Sequence, residues 1–184
     1  MKIAFVSVDL ARWDQATAGD LLAVGFYSDL RPLRGAAGLC DWRFDARIST
    51  LIVGGNLTGA EGEQLLIPNH RRLPWAWTLA VGLGPSAELD DERASRAIRK
   101  TLQTMRGLGL VKLAMALPGR EIERIPARRA LQVFLKELEQ APPGTVQELT
   151  LVETVAGQKE LGEVVRRRGQ PSRPREPRVR GTSS

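Results

Sequence analysis

Between Trp75 and Pro85 the chain reads Trp-Ala-Trp-Thr-Leu-Ala-Val-Gly-Leu-Gly-Pro, and no other stretch limits the possible folds so strongly. It is the most apolar run in the sequence, it ends in a Gly-x-Gly turn, and a well-signalled helix follows it. An apolar run of this kind, closed by glycines and followed by a helix, marks a buried strand feeding a βα crossover. The expectation is a strand at the centre of a sheet, with the rest of the chain packed around it. Open α/β sheets hold ligands beside such turns, so the stretch raises a question of function as well as of fold.

The flanking sequence supplies the other elements. Lys2 to Asp9 is rich in Ile, Val and Phe, as a strand should be, and Asp20 to Tyr27 is a second short apolar run that suits burial on both faces. From Asp41 to Val53 the apolar residues Trp42, Phe44, Ile48, Leu51 and Ile52 fall at helical spacing. This predicts one helix, capped by Asp41 and ended by Gly54 and Gly55. Glu63 to Ile67 reads as a strand antiparallel to the apolar run after it. Beyond Gly84, Asp90 or Asp91 can cap a helix whose buried stripe is Ala94, Ile98, Leu102 and Met105. Leu110 to Leu117 is again strand-like, Ala127 to Gln140 is an amphipathic helix, Glu148 to Glu153 alternates, and a last helix covers 156–168. Strands and helices alternating in this order predict an α/β fold: a three-layer α/β/α sandwich around a mixed, mostly parallel sheet of about six strands.

A single domain is expected over residues 1–168, followed by a distinct tail over 169–184. The tail has three prolines and almost no apolar residues, so burial cannot offset the entropy of ordering it, and disorder is expected there. The net charge of +6 belongs to this end of the chain. Arg166, Arg167, Arg168, Arg173, Arg175, Arg178 and Arg180 stand against the single acid Glu176, which leaves the rest of the protein neutral. Seven guanidinium groups in a flexible segment suit a polyanion, held without sequence preference because no aromatic residue is interleaved. A solvated tail that aids solubility, or that touches an acidic protein, is the competing explanation.

Several classes of chemistry find no support in the sequence. No run of 18 apolar residues exists, so no membrane span or membrane partner is expected, and the opening residues read as a first strand of a cytoplasmic protein. The one histidine, His70, lies beside Arg71 and Arg72, which would repel a cation, and the one cysteine, Cys40, lies in an apolar stretch. Neither belongs to a cluster with ligand spacing, so no metal, no cofactor and no catalytic residue is predicted. Gly82-x-Gly84-x-x-Ala87 outlines a dinucleotide fingerprint, but the helix start is displaced to Asp90 and no acid ends the next strand. Of the four tryptophans, core packing accounts for at least three.

The glycines and apolar runs taken together carry a resemblance. Pro32-Leu-Arg-Gly-Ala-Ala-Gly-Leu leads through Asp45 to Leu51 into Gly55-Asn-Leu-Thr-Gly-Ala-Glu-Gly-Glu-Gln-Leu-Leu-Ile-Pro, and then into Leu79-Ala-Val-Gly-Leu-Gly. This block, with Gly55, Gly59, Gly62, Pro68, Gly82 and Gly84 in place, resembles the N-terminal domain of the leucyl (cytosol) aminopeptidase family over roughly the first 165 residues. The resemblance implies a macro-domain-like sandwich. It also implies that catalysis is absent, because that family binds its two metals in a separate C-terminal domain to which nothing here corresponds. A non-catalytic binding or assembly module is therefore expected, with a protein partner (a second copy or another subunit) and non-specific nucleic-acid contact through the tail. The alternative is a macro-like domain binding ADP-ribose or another small nucleotide, with a pocket formed by Gly54, Gly55, Asn56, Gly82, Leu83, Gly84 and Pro85.

Overall fold

The computed structural model describes residues 1–169; the Arg/Pro-rich segment from residue 170 onward, with the disorder expected of it, lies outside the described residues. Six strands, β1 (Lys2–Val6), β2 (Gly19–Phe26), β3 (Gln64–Pro68), β4 (Trp75–Gly82), β5 (Lys112–Met115) and β6 (Glu148–Val152), form one sheet in the order β1-β6-β5-β2-β4-β3. All neighbours are parallel except β3 and β4, which pair antiparallel in the register Leu66 to Leu79, as the short connection between them predicts. The mixed, mostly parallel three-layer sandwich expected from the sequence is therefore present.

The apolar run that constrains the fold is β4, and it lies second from one edge, with β5 and β2 at the centre. An apolar run reports burial on both faces, which β4 and β2 share, and burial carries no information on order across the sheet. Strands β1 to β6 alternate their side chains between two cores. On the first face Leu21, Ala23, Leu79, Val81, Leu113, Met115, Leu149 and Leu151 meet three long helices, α4 (Asp91–Gly107), α5 (Ala127–Gln140) and α6 (Val155–Gly169). On the second face Leu22, Val24, Phe26, Ala80 and Ala114 meet three short ones, α1 (Leu10–Trp13), α2 (Gly35–Arg43) and α3 (Arg47–Val53).

Local signals explain the long helices. Asp90 accepts a hydrogen bond from the Arg93 amide at 2.9 Å, and Asp91 and Glu92 place negative charge in the first turn of α4, where the helix dipole favours it. Ala130, Leu131, Phe134 and Ala127 form the buried stripe of α5, so Leu131→Ala would cost about 3 kcal/mol.

The short helices differ from expectation. The predicted helix from Asp41 to Val53 is two helices, broken where Asp45 and Ala46 take φ values of 55° and 60°. Asp41 does not start the first of them. It lies near the end of α2, and its carboxylate accepts from the Ile48 and Ser49 amides at 2.8 and 3.0 Å, capping α3 from seven residues upstream. Trp42, expected on the buried stripe, lies on the outer side of α2 and is 70% exposed, while Trp13 and Trp75 pack edge to face in the second core with centroids 5.5 Å apart.

Candidate functional site

The chain leaves β2 toward the face of α2 and α3, whereas it leaves β4 and β5 toward the face of α4 and α5. Neighbouring strands whose connections diverge in this way open a crevice at their carboxyl ends, the usual ligand position in open α/β sheets. The residues gathered there are Tyr27, Asp29, Gly82 to Ser86, and Arg120 to Glu121 after β5, with Glu153 after β6 beside them.

Main-chain bonds knit the glycine turn into its surroundings. Leu83 donates to the Phe26 carbonyl at 2.9 Å, Gly84 to the Gly59 carbonyl at 2.9 Å, and Ser28 to the Gly84 carbonyl at 3.1 Å. A Cβ at position 82 would collide with the Ala60 carbonyl oxygen, so the strand end and the preceding loop touch backbone to backbone. The Glu63 carboxylate closes that loop by accepting from the Thr58 and Gly59 amides at 2.9 and 2.7 Å. Gly84 turns the chain at φ +74°, a value that suits glycine, and Leu83 is buried in the first core.

Several polar side chains of the crevice are held by partners within the fold. Asp29 accepts from Ser86 through both its amide and its hydroxyl, each at 2.9 Å, and the amide bond first of all holds the Asp29 carboxyl below the ordinary range. Arg120 donates from Nε and Nη2 to Glu153 at 2.7 and 3.3 Å and from Nη1 to the Ile125 carbonyl at 2.9 Å. Glu153, 3% exposed, also receives the Thr154 amide at 2.8 Å. Beside this pair, the Tyr27 hydroxyl and Glu121 Oε1 are buried next to one another, and neither has a hydrogen bond of ordinary geometry among the described residues. Burial, reinforced by the neighbouring Glu121, pushes the Tyr27 phenol up, and burial likewise pushes the Glu121 carboxyl up against the pull of Tyr27 and Arg120.

The residues nominated from the sequence are only partly brought together. Gly82, Leu83, Gly84 and Pro85 sit in the crevice, while Gly54, Gly55 and Asn56 cap the end of α3, where their amides return to Thr50, Ile52 and Leu51. None of these seven residues lines the clefts over β1 and β6, between α4 and α5, or beside α2. Arg166 and the backbone of Arg167 and Arg168 belong to α6, and the remaining four arginines lie outside the described residues. Among the described residues no group of three or more His, Cys, Asp or Glu could hold a metal ion. His70 is exposed in a turn, and Cys40 is fully buried with its thiol pushed up by that burial, which makes it unreactive. Tyr27, Arg120, Glu121 and Glu153 escape a reading by motif. A usable signal was their position, since each directly follows or closely trails the carboxyl end of an apolar run.

Comparison with known proteins places this geometry. The profile of the cytosol aminopeptidase family, N-terminal domain, matches residues 23–141. A probable cytosol aminopeptidase of Pseudomonas syringae pv. tomato is 28% identical over 111 residues, covering 60% of this chain and 22% of that protein. One from Cupriavidus metallidurans is 30% identical over 121 residues, covering 64% of this chain and 23% of the relative. The matched region thus spans about a fifth of the length of these curated relatives. Among solved structures, the Trypanosoma brucei macrodomain in complex with ADP-ribose superposes with a TM-score of 0.66 at 17% identity, covering 89% of this chain and 68% of that one. The macro domain of ganglioside induced differentiation associated protein 2 gives 0.66 at 10% identity, covering 89% and 82%. At such identities the likeness is one of fold.

Proposed function

The chain belongs to the cytosol aminopeptidase family through its N-terminal domain, and from that premise we propose that it is a non-catalytic binding and assembly module. The observation that carries this reading is the state of the crevice. Three of its four charged groups, Arg120, Glu153 and Asp29, are already committed to partners within the fold, which suits a structural part better than a site waiting for substrate. Acting alone, such a module should not cleave leucine amide substrates with Mn²⁺ or Zn²⁺ added, and metal-dependent turnover would overturn the reading. It should also associate. Sedimentation velocity between about 1 and 100 μM should show a dimer or larger species, and a monomer at every concentration would count against self-assembly.

The seven arginines from Arg166 to Arg180 support a second contact, with nucleic acid or another polyanion. Full-length protein should bind random duplex DNA more tightly than a chain ending at Gly169, and added salt should abolish the difference. Equal binding by the two removes this part of the proposal. The macro-like fold supports an alternative reading in which the crevice takes ADP-ribose. Calorimetry decides it: a Kd tighter than about 100 μM would make the small ligand the function.

A further inference from the structure

The two edges of the sheet are finished differently. At one edge β3 runs antiparallel and ends in Pro68, which has no N–H to offer. At the other, β1 pairs with β6 on one side only. Lys2 donates to the Gln147 carbonyl at 3.0 Å and Val6 accepts from the Glu153 amide at 3.0 Å, so Lys2, Ala4 and Val6 bond inward. In a parallel ladder the intervening residues point the other way, which leaves the N–H and C=O groups of Ile3 and Phe5 on the open edge.

The two faces beside this edge are also unlike. Ile3 and Phe5 send their side chains toward the first core, where they are only half-buried. On the second face the covering helix α1 is four residues long, and it leaves a cleft of about 510 Å³ over β1 and β6. Lys2, Ala4, Arg12, Gln15, Glu148 and Thr150 are among its lining residues. Glu148 is matched by Lys112 at 3.2 Å, whereas neither Lys2 nor Arg12 has an acidic partner among the described residues. Among the described residues the cleft therefore carries unbalanced positive charge next to backbone with no strand paired to it.

We propose that β1 is a docking edge for an extended segment of another protein that alternates apolar and acidic residues. Its backbone would pair with Ile3 and Phe5. Its apolar side chains would finish covering those two residues on the α6 side, and its acidic side chains would enter the cleft beside Lys2 and Arg12. The arginine-rich end of this chain has the wrong charge for that position, and a second β1 would bring another Lys2 and Arg12, so charge selects a different protein. This inference rests on the reading of the domain as a binding and assembly module and specifies where a partner is held.

The test uses the full chain and a fluorescent seven-residue peptide of alternating valine and glutamate. Binding is read by anisotropy and by hydrogen exchange at the Ile3 and Phe5 amides. Exchange at those two amides should slow at least about tenfold in saturating peptide. The double variant Lys2→Glu with Arg12→Glu, both at exposed positions, should weaken binding about tenfold or more and should prefer the valine–lysine peptide instead. A peptide N-methylated on the pairing edge should not bind. No binding up to about 1 mM, protection elsewhere than β1, or equal affinity for the lysine peptide each overturns the proposal. If the chain self-associates but the peptide does not bind, the docking edge fails and the assembly reading stands. If the peptide binds a chain that stays monomeric, self-assembly fails and the docking edge stands.

Discussion

At the seam between α4 and α5 one arginine serves one buried glutamate; at the carboxyl end of the sheet one arginine faces two. Arg99 donates to Glu137 from Nε at 2.8 Å and Nη2 at 3.1 Å, and Ser95 adds its hydroxyl. Burial by itself raises the Glu137 carboxyl, but the bonds from Arg99 and Ser95 outweigh it, and the net shift is downward. In the crevice Arg120 spends its fork on Glu153 and the Ile125 carbonyl, and at Glu121 burial outweighs the pull of Tyr27, of its own backbone amide and of the Arg120 charge, so the carboxyl shifts upward. The difference teaches that burial does not decide the sign of a shift. The donors within reach of the carboxylate weigh against it, and at Glu137 they prevail.

Three experiments would break or sharpen the contrast. Arg120→Met strands Glu153, which is almost fully buried, and should cost about 3–5 kcal/mol in urea unfolding. A loss under about 1 kcal/mol would show that water replaces the guanidinium and that the crevice is wetter than its packing suggests. Arg99→Met should cost less than Arg120→Met, because the Arg99 side chain is 51% exposed and solvent reaches the vacated site. Since the Glu137 carboxyl is lowered, the stability it contributes is present above its ordinary value of 4.5 and is lost as pH falls through the lowered one. The Arg99→Met deficit should therefore shrink in acid.

Glu121→Gln should have the smallest effect and the opposite sign. A raised carboxyl contributes stability that is fully present below the ordinary value of 4.5 and is lost as pH climbs through the raised one. Glutamine keeps the neutral form at every pH, so Tm should rise by a few degrees near pH 8 and stay unchanged near pH 4. A fall in Tm at pH 8 would mean that the ionised carboxylate is the form the fold uses.

Which parts of the molecule the sequence discloses follows from where each signal resides. The helix from Ala127 to Gln140 is legible to the residue because its apolar stripe, its leading proline and its closing Pro142-Pro143 all act locally. The break between α2 and α3 is hidden because Phe44 and Ile48 keep helical spacing across it, while the Asp41 side chain that fixes it acts over a distance of seven residues. The order of strands is hidden for a similar reason, since β2 and β4 have equivalent apolar runs. The crevice is the extreme case. Arg120 and Glu153 are 33 residues apart, and Arg99 and Glu137 are 38 apart, so nothing in the neighbourhood of either names its partner. The glycines were visible at once, yet Gly54 to Asn56 and Gly82 to Pro85 serve separate turns.

The backbone contact at Gly82 acts as a mechanical stop. A strand pairs in any register that its hydrogen bonds allow, and a slip of one residue turns every side chain to the opposite face. If β4 slid against β3 and its preceding loop, Val81 or Leu83 would arrive opposite the Ala60 carbonyl, where even a methyl group has no room. The hairpin is thus keyed like a lock with a single notch, and the alignment of the whole antiparallel edge is enforced at one point by the absence of a side chain.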